Sequence, residues 1–107
     1  MRSINRLTVL GNVGSVKSFG KVTKVSIATN RTWTDNSGDK HERTDWVPVT
    51  ILDPKQAEWI GQNVAKGDSV YVEARVGESS YGEGDDRKFT VDIIATTFNL
   101  MSSANGE

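Results

Sequence analysis

Residues 44–67 read TDWVPVTILDPKQAEWIGQNVAKG and place a predicted strand directly before the only predicted helix. In the first part of this stretch, the apolar residues Val47, Val49 and Ile51 alternate with residues of the opposite face. Alternation with a period of two is typical of a strand that is buried on one side. We therefore predict a strand over residues 44–52.

The second part of the stretch carries the signals of a helix start. Asp53 is a capping residue, Pro54 suits the first helical position, and Gln56 can close a capping box. Apolar residues then follow at helical spacing, at Ala57, Ile60 and Val64. Glycine is typical of a helix end, so we predict that the helix ends before Gly67.

Four further strands are predicted on the two sides of this stretch. They cover residues 4–16, 22–33, 69–76 and 88–100. Their predicted inward-facing residues include Leu7, Val9, Gly11, Val13, Val25, Ile27, Val70, Val72, Ala74 and Val76. Two polar loops, residues 34–41 and 77–86, separate the second strand from the third and the fourth from the fifth.

The order of these elements is strand, strand, strand, helix, strand, strand. The OB-fold, a five-stranded Greek-key barrel, has this order. Small barrels of other topology show a similar alternation, and the pattern alone leaves them open. We predict an all-β protein, a five-stranded OB-fold Greek-key barrel with one short helix between strands 3 and 4.

Length and composition are those of one globular domain. The chain has 107 residues, of which 36% are hydrophobic and 25% charged, and this length suffices to bury one core. We assign residues 1–101 to the domain and residues 102–107 to a short polar tail. The absence of cysteine excludes a disulfide scaffold and a thiolate zinc site. Because no apolar signal region or membrane span is found, we expect a cytoplasmic protein.

Charge is unevenly distributed along the chain. The formal net charge is −1, which argues against a histone-like protein that binds through bulk positive charge. Residues 1–52 hold eight Lys or Arg against four acids, whereas residues 53–107 hold five against ten. This asymmetry favours a polyanion-binding face in the first half, although surface charge also segregates by chance.

The chemistry-bearing residues do not indicate an enzyme. His41 is the only histidine and lies in a predicted polar loop, so we interpret it as a solvated side chain and not as a general base. The acids Asp35, Asp39, Asp85 and Asp86 follow no calcium-loop spacing. We assign no catalytic residue, no metal ion and no cofactor.

Aromatic residues next to basic ones are the more informative pattern. Bases of single-stranded nucleic acid stack on Trp or Tyr while phosphates pair with Lys or Arg, so a binding surface needs both types on one exposed sheet. The candidate stacking residues are Trp33, Trp46 and Tyr81, for which ordinary packing at a barrel rim is the alternative. The candidate phosphate-pairing residues are Lys24, Arg31, Lys40, Arg43 and Arg75.

Other aromatic residues are predicted to have structural roles. Trp59 is expected to pack beside Ile60 on the helix, and Tyr71 either packs or serves an interface. The three phenylalanines, Phe19, Phe89 and Phe98, are expected to pack in the core or at strand ends.

Four stretches together resemble a known family. They are INRLTVLGNVG at residues 4–14, IATN at residues 27–30 leading to Trp33, TDW at residues 44–46, and KGDSVYVE at residues 66–73. In this order and spacing, over about residues 2–101, the chain resembles the bacterial single-stranded DNA-binding protein family, an OB-fold family of sequence-tolerant binders.

The resemblance implies a homotetramer, built from dimers, that wraps single-stranded DNA with bases stacked on Trp33, Trp46 and Tyr81. It also implies an edge strand over residues 5–10 at a dimer interface. The interface residues expected from it are Asn5, Leu7, Val9 and Tyr71.

The chain also departs from the pattern of this family. Relatives usually have an aromatic residue where Leu52 stands, and Pro48 suggests an edge or a bulge in its strand. The second loop, typically basic in relatives, contains Glu78, Glu83, Asp85 and Asp86, which should repel phosphate. Most relatives also carry a flexible tail with an acidic, Phe-terminated tip, which residues 102–107 do not show; either the tail was removed or this is a tailless variant, and the sequence does not identify a protein partner.

These observations predict a non-enzymatic protein, associated with the nucleoid, that binds and protects single-stranded DNA without sequence preference in replication, recombination and repair. One alternative is a tailless OB-fold accessory protein for replication restart or for plasmid or phage maintenance. Another is an OB-fold protein-interaction module in which Trp33 and Trp46 are buried at interfaces.

Overall fold

The computed structural model describes residues 1–104 and contains five strands and one α-helix. The bounds are β1 Leu7–Phe19, β2 Val22–Thr34, β3 Lys40–Ile51, α1 Pro54–Asn63, β4 Ser69–Tyr81 and β5 Lys88–Ser102, with a single 3-10 turn at Gly84–Asp86. The strands close a barrel in the order β1-β2-β3-β5-β4. The predicted fold is confirmed. Of the predicted tail, residues 105–107 lie outside the described residues.

Strand β1 divides its length between two partners. Its first half pairs antiparallel with β4, from Leu7 to Asn12, and the rest pairs with β2. The register shifts between Val13 and Ser15, so Gly14 forms a bulge there. The bulge bends β1, so that its first half pairs with β4 and its second half with β2.

The barrel closes between β3 and β5 through one parallel pair, Thr50 with Ile94. Pro48 pairs with Ser26 of β2 and has no β5 partner. Because proline has no N–H to donate, a position that is open on one side suits it. The expected edge position of Pro48 is therefore confirmed.

The core consists of the inward-facing residues of all five strands and one side of the helix. Its buried members are Val9, Val13, Val25, Ile27, Val49, Ile51, Ala57, Ile60, Val64, Val70, Val72, Ala74 and Phe98. Ile60 is fully buried where α1 covers one end of the barrel. Replacing such a residue by alanine lowers stability by about 2–5 kcal/mol.

Helix α1 begins and ends as its sequence predicts. Asp53 caps it, because its Oδ2 accepts a hydrogen bond from the Gln56 N–H at 3.2 Å. Buried Thr23 of β2 donates its hydroxyl to the Ala57 carbonyl at 2.8 Å, which ties the helix to the sheet. After the last turn, Gly67 adopts φ +94°, a left-handed conformation that favours glycine.

The two predicted loops are shorter than expected, because the strands extend into them from both sides or from one side. Strand β2 continues to Thr34 and β3 begins at Lys40, and β4 continues to Tyr81. The added strand residues are polar, so hydrophobic periodicity does not indicate that they are strand. In the structure β2 pairs with β3, and β4 pairs with β5, in two hairpins that satisfy the backbone N–H and C=O groups. Because β4 leaves the barrel as it enters its hairpin, Val76 is exposed, contrary to prediction.

Three aromatic residues are more exposed than predicted, for two different reasons. Phe98 is buried, as expected, but Phe19 and Phe89 are more than half exposed because they lie where their strands extend past the barrel. Trp59 is also about half exposed, since α1 buries Ala57 and Ile60 and turns the indole outward.

Candidate nucleic-acid interface

Residues 30–46 form an arm that projects beyond the barrel, called here the β2–β3 arm. Its strands pair without a register shift from Thr23–Ile51 to Thr34–Lys40. Most side chains of the arm are exposed. An uninterrupted ladder alternates its side chains strictly between two faces, so the register decides which residues lie together.

One face of the β2–β3 arm, called the Trp33 face, brings two cationic residues and two rings together. Arg31 pairs across the strands with Arg43, and Trp33 pairs with His41. The Arg31 guanidinium carbon lies 4.8 Å from the centroid of the Trp33 ring, within the range of a cation–π contact. The Trp33 and His41 rings stack with centroids 5.3 Å apart and planes 19° apart.

The turn of the arm is organised by Asp35. Its Oδ2 lies 2.7 Å from His41 Nε2, and its Oδ1 accepts from the N–H groups of Ser37 and Asp39 at 2.9 Å each. The hydrogen bond with His41, followed by that of the Asp39 N–H, lowers the pKa of the Asp35 carboxyl below its ordinary value. The carboxylate thus stays ionised and holds both the turn and the imidazole.

The charge of Arg31 is partly compensated. Its Nε lies 2.9 Å from Asp45 Oδ2, and each side chain is about half exposed. An exposed pair of this kind contributes about 0–1 kcal/mol to stability. Among residues 1–104, the other predicted cationic residues of the arm, Lys40 and Arg43, have no ion-pair partner within 4 Å.

Trp46 lies on the opposite face of the arm from Trp33. Its cross-strand partner is Ala28, and its indole extends over the bulge at Gly14, where a Cβ would overlap the ring. The side chain is 59% exposed, compared with 41% for Trp33. The expectation of one shared exposed sheet surface is therefore corrected: both tryptophans are accessible, but on opposite faces.

The remaining predicted contact residues are dispersed. Lys24 is at the barrel end of β2, where its ammonium lies 5.7 Å from the Phe19 ring centroid. Lys40 pairs with Thr34 and lies on the same face of the arm as Trp46. Arg75 and Tyr81 lie on β4, away from the β2–β3 arm, with Tyr81 across from Lys88. The structure thus unites only Arg31, Trp33 and Arg43.

The residues expected at an oligomer interface differ in their placement. Asn5 hydrogen-bonds the main chain of Val76 in both directions, donating Nδ2–H to the carbonyl at 2.6 Å and accepting the N–H at 2.9 Å. Val9 is 4% exposed and Leu7 packs against the core. Before the bulge, the odd-numbered residues of β1 face inward, so the side chains of Leu7 and Val9 contribute to this barrel's core and only their main chain is open to a second copy; the exposed apolar residue of this segment is Leu10.

Tyr71, the fourth of these residues, is partly buried on the outside of β4. Its hydroxyl donates to Glu73 Oε2 at 2.7 Å. This hydrogen bond is the main cause that raises the pKa of the Tyr71 hydroxyl above its ordinary value. Across the ladder Tyr71 pairs with Leu10, so both lie on the same outer surface.

Two residues that contact the tryptophans of the β2–β3 arm are not indicated by the sequence. The sequence analysis interprets His41 as a solvated loop residue, and it assigns Gly14 no role under Trp46. Neither has a local signal, because each acts on a tryptophan that pairing brings close across the sheet.

Within residues 1–104, no group of three or more His, Cys, Asp or Glu side chains is placed to hold a metal ion. In the same range no helix combines the length and apolar character needed to cross a membrane.

Known proteins share both the sequence pattern and the fold. The model of the Single-strand binding protein family matches residues 4–101. A single-stranded DNA-binding protein of Neisseria meningitidis is 31% identical over 96% of this chain and 63% of its own length. The corresponding protein of Xanthomonas campestris is 31% identical over 94% of this chain and 62% of its own. The chain therefore spans just under two thirds of these relatives.

Solved structures agree with this relationship. A Plasmodium falciparum SSB in complex with ssDNA superposes with a TM-score of 0.74 at 26% identity, covering 95% of this chain and 96% of that one. A Thermus aquaticus single-stranded DNA binding protein, at 20% identity, shares the fold with a TM-score of 0.76 over 96% of this chain and 53% of its own. Because the family model covers nearly all of the barrel sequence, the chain belongs to the single-strand binding protein family.

Proposed function

We propose that this protein binds single-stranded DNA without sequence preference and protects exposed strands during replication, recombination and repair. It acts as a binding protein and not as an enzyme, in the cytoplasm at the nucleoid. The observation that carries the proposal is the exposed Trp33 ring beside Arg31 and Arg43, on an arm that projects from the barrel. The names of the relatives, and the ssDNA in one similar structure, support the same function.

Stacking supplies the sequence-independent part of the affinity. Every base has an aromatic face, and each base stacked on an aromatic side chain contributes about 1–3 kcal/mol. Trp33 and Trp46 are both exposed, so two such platforms are available per chain. Tyr81 is a third candidate, at the end of β4.

The positions of the two tryptophans suggest the path of the strand. Since Trp33 and Trp46 lie on opposite faces of the β2–β3 arm, a flexible strand that touches both passes around the edge of the arm. Arg31 and Arg43 are on the first face and Lys40 is on the second, so each face offers a cation for phosphate. We propose Lys24 and Arg75 as more distant phosphate contacts.

We also propose that the chain forms a homotetramer built from dimers. The edge of β1 that faces away from β4 has no strand partner before Asn12 in the described fold, and Leu10 is exposed there beside Tyr71. An open strand edge is a ready template for pairing with a second copy. Several barrels on one DNA strand would raise the overall affinity through effective concentration.

Titration of intrinsic fluorescence with oligo-dT tests the DNA-binding proposal. The chain has three tryptophans, and stacking of bases on Trp33 and Trp46 should quench the emission. The Trp33→Ala/Trp46→Ala double variant should lose most of its affinity, whereas Trp59→Ala on α1 should bind as the wild type does. Normal binding by the double variant would contradict the stacking mechanism. A mass measurement in solution tests the tetramer.

A second candidate is an OB-fold accessory or protein-interaction module for replication restart or for plasmid or phage maintenance. The β4–β5 hairpin favours it, because Tyr81 and Phe89 are exposed there beside Glu83, Asp85 and Asp86. Acids at this position repel phosphate and suit a basic protein surface instead. If oligo-dT leaves the fluorescence unchanged while a replication or recombination protein binds tightly, this candidate replaces the first.

A further inference from the structure

The tip of the β2–β3 arm carries a second ring beside Trp33. His41 is the cross-strand partner of Trp33, and the two rings are stacked with centroids 5.3 Å apart and an angle of 19° between their planes. The imidazole therefore covers part of one face of the indole, and its own side chain is 44% exposed, so a base can stack on the side of the imidazole that faces away from Trp33.

The imidazole is held in its orientation from the side. Ionised Asp35 can only accept hydrogen bonds, so His41 donates its Nε2–H to Asp35 Oδ2 over 2.7 Å. Asp35 in turn is fixed by the N–H groups of Ser37 and Asp39. A bond in the ring plane leaves the ring face accessible, and the His41 side chain is 44% exposed. A ring that is ordered before binding loses less entropy when a ligand stacks on it.

An open concavity adjoins the two rings. Its volume is about 500 Å³, within the range of small-molecule sites, about 300–1,000 Å³. The lining residues are Thr32, Trp33, Thr34, Lys40, His41 and Glu42. The concavity therefore offers the aromatic surface that a base needs for stacking, while its other lining residues, Thr32, Thr34, Lys40 and Glu42, alternate with the two rings along the ladder and carry no net charge.

We propose that His41 is a nucleobase-stacking residue, which forms with Trp33 a two-ring platform that binds one base at the tip of the arm. Asp35 positions the imidazole. This inference rests on the proposed function. It goes beyond the proposed function because it assigns a base contact to His41, a residue that the sequence analysis places in a polar loop.

Three substitutions separate the ring from its hydrogen bond. His41→Phe keeps an aromatic ring and should bind oligo-dT nearly as the wild type does. His41→Gln keeps a polar donor but has no ring, and His41→Ala has neither, so both should weaken binding about five- to tenfold, the lower part of the range for one base stack. Asn36→Ala, in the same exposed turn, is the matched control and should leave the affinity unchanged.

Proton NMR observes the contact directly. Because the chain has a single histidine, its imidazole signals need no assignment by mutation. A base that stacks on the ring should shift these signals upfield when oligo-dA is added, and should do so also in Trp46→Ala, which leaves the tip intact. Thermal unfolding of each variant checks that the barrel is intact.

The outcomes separate this inference from the proposed function. If the wild type binds oligo-dT but His41→Ala and His41→Gln bind equally well, or the imidazole signals stay in place, the role of His41 is refuted and DNA binding stands. If only His41→Ala is weakened, a hydrogen bond and not the ring is responsible, and the inference is also refuted. If the wild type binds no oligonucleotide, the proposed function fails and this inference fails with it.

Discussion

The indole of Trp46 lies over Gly14, and a Cβ at Gly14 would occupy the space of the ring. Gly14 is the bulge residue of β1, and Trp46 reaches it from β3 across Ala28 of β2. Two small residues on neighbouring strands, Gly14 and Ala28, thus leave space for the indole of Trp46. This arrangement lets Trp46 lie against the sheet and remain 59% exposed.

Gly14→Ala should therefore displace Trp46 and weaken DNA binding. The loss should approach that of Trp46→Ala, which corresponds to about 1–3 kcal/mol for one base stack. Oligo-dT titration measures the loss, and the emission of the free protein should also change. Gly77→Ala is the control, because its Cβ would meet no atom within 4 Å and its backbone is not left-handed. Wild-type affinity of Gly14→Ala would show that the position of Trp46 is unimportant.

Binding should weaken as salt increases. Each phosphate paired with a cation contributes about −0.7 to the slope of log K against log salt concentration for single strands. If Arg43 pairs with one phosphate, Arg43→Ala should make the slope less negative by about that amount. Titrations between low and moderate salt measure it. A flat plot for the wild type would contradict phosphate pairing altogether.

Asp45→Asn should strengthen binding at low salt. The substitution removes the carboxylate that lies 2.9 Å from Arg31 Nε and leaves the guanidinium available to phosphate. Asp92→Asn on β5 makes the same change in net charge far from the arm and serves as the control. An equal gain in both variants would indicate a general charge effect and no role for the pair.

The turn of the β2–β3 arm should depend on pH through Asp35. Its pKa is lowered from the ordinary 3.8, chiefly by the hydrogen bond with His41, so the folded arm binds this proton less well than the unfolded chain. The resulting stabilisation is present above about pH 3.8 and is lost as pH falls through the lower folded value. NMR titration of the Ser37 and Asp39 amide signals should follow this transition. Asp35→Asn should abolish it, and a midpoint above 3.8 would contradict the assignment.

Asp68→Ala should destabilise the barrel without any direct effect on DNA contacts. Asp68 is 2% exposed and accepts from the N–H groups of Ala65 and Ala104 at 2.9 and 2.8 Å. Loss of these two part-buried hydrogen bonds should lower the free energy of unfolding by about 0.5–1.5 kcal/mol each. Chemical denaturation measures the change. Asp85→Ala, on the exposed 3-10 turn, is the control, and equal stability of the two variants would contradict the role of Asp68.

The fold was predictable because its signals are local. The alternation of Val47, Val49 and Ile51, and the cap at Asp53, each lie within a few residues and depend on short-range geometry. The family pattern pointed to Trp33 and Trp46 in the same way, through their neighbours in sequence. The predicted packing of Trp59, by contrast, is wrong. Helical spacing alone does not determine how much of a large ring a helix exposes to solvent.

Side-chain partnerships across the sheet were decided by tertiary structure alone. That Trp33 and Trp46 lie on opposite faces follows from a register that extends through a polar segment without periodicity. His41 stacks on Trp33, and Gly14 leaves space for Trp46, because pairing brings together residues that are distant along the chain. Amino-acid types determined which segments form strands, since backbone preference and burial are local. The alignment of those strands, which a shift of one residue would invert, determined which rings and charges meet.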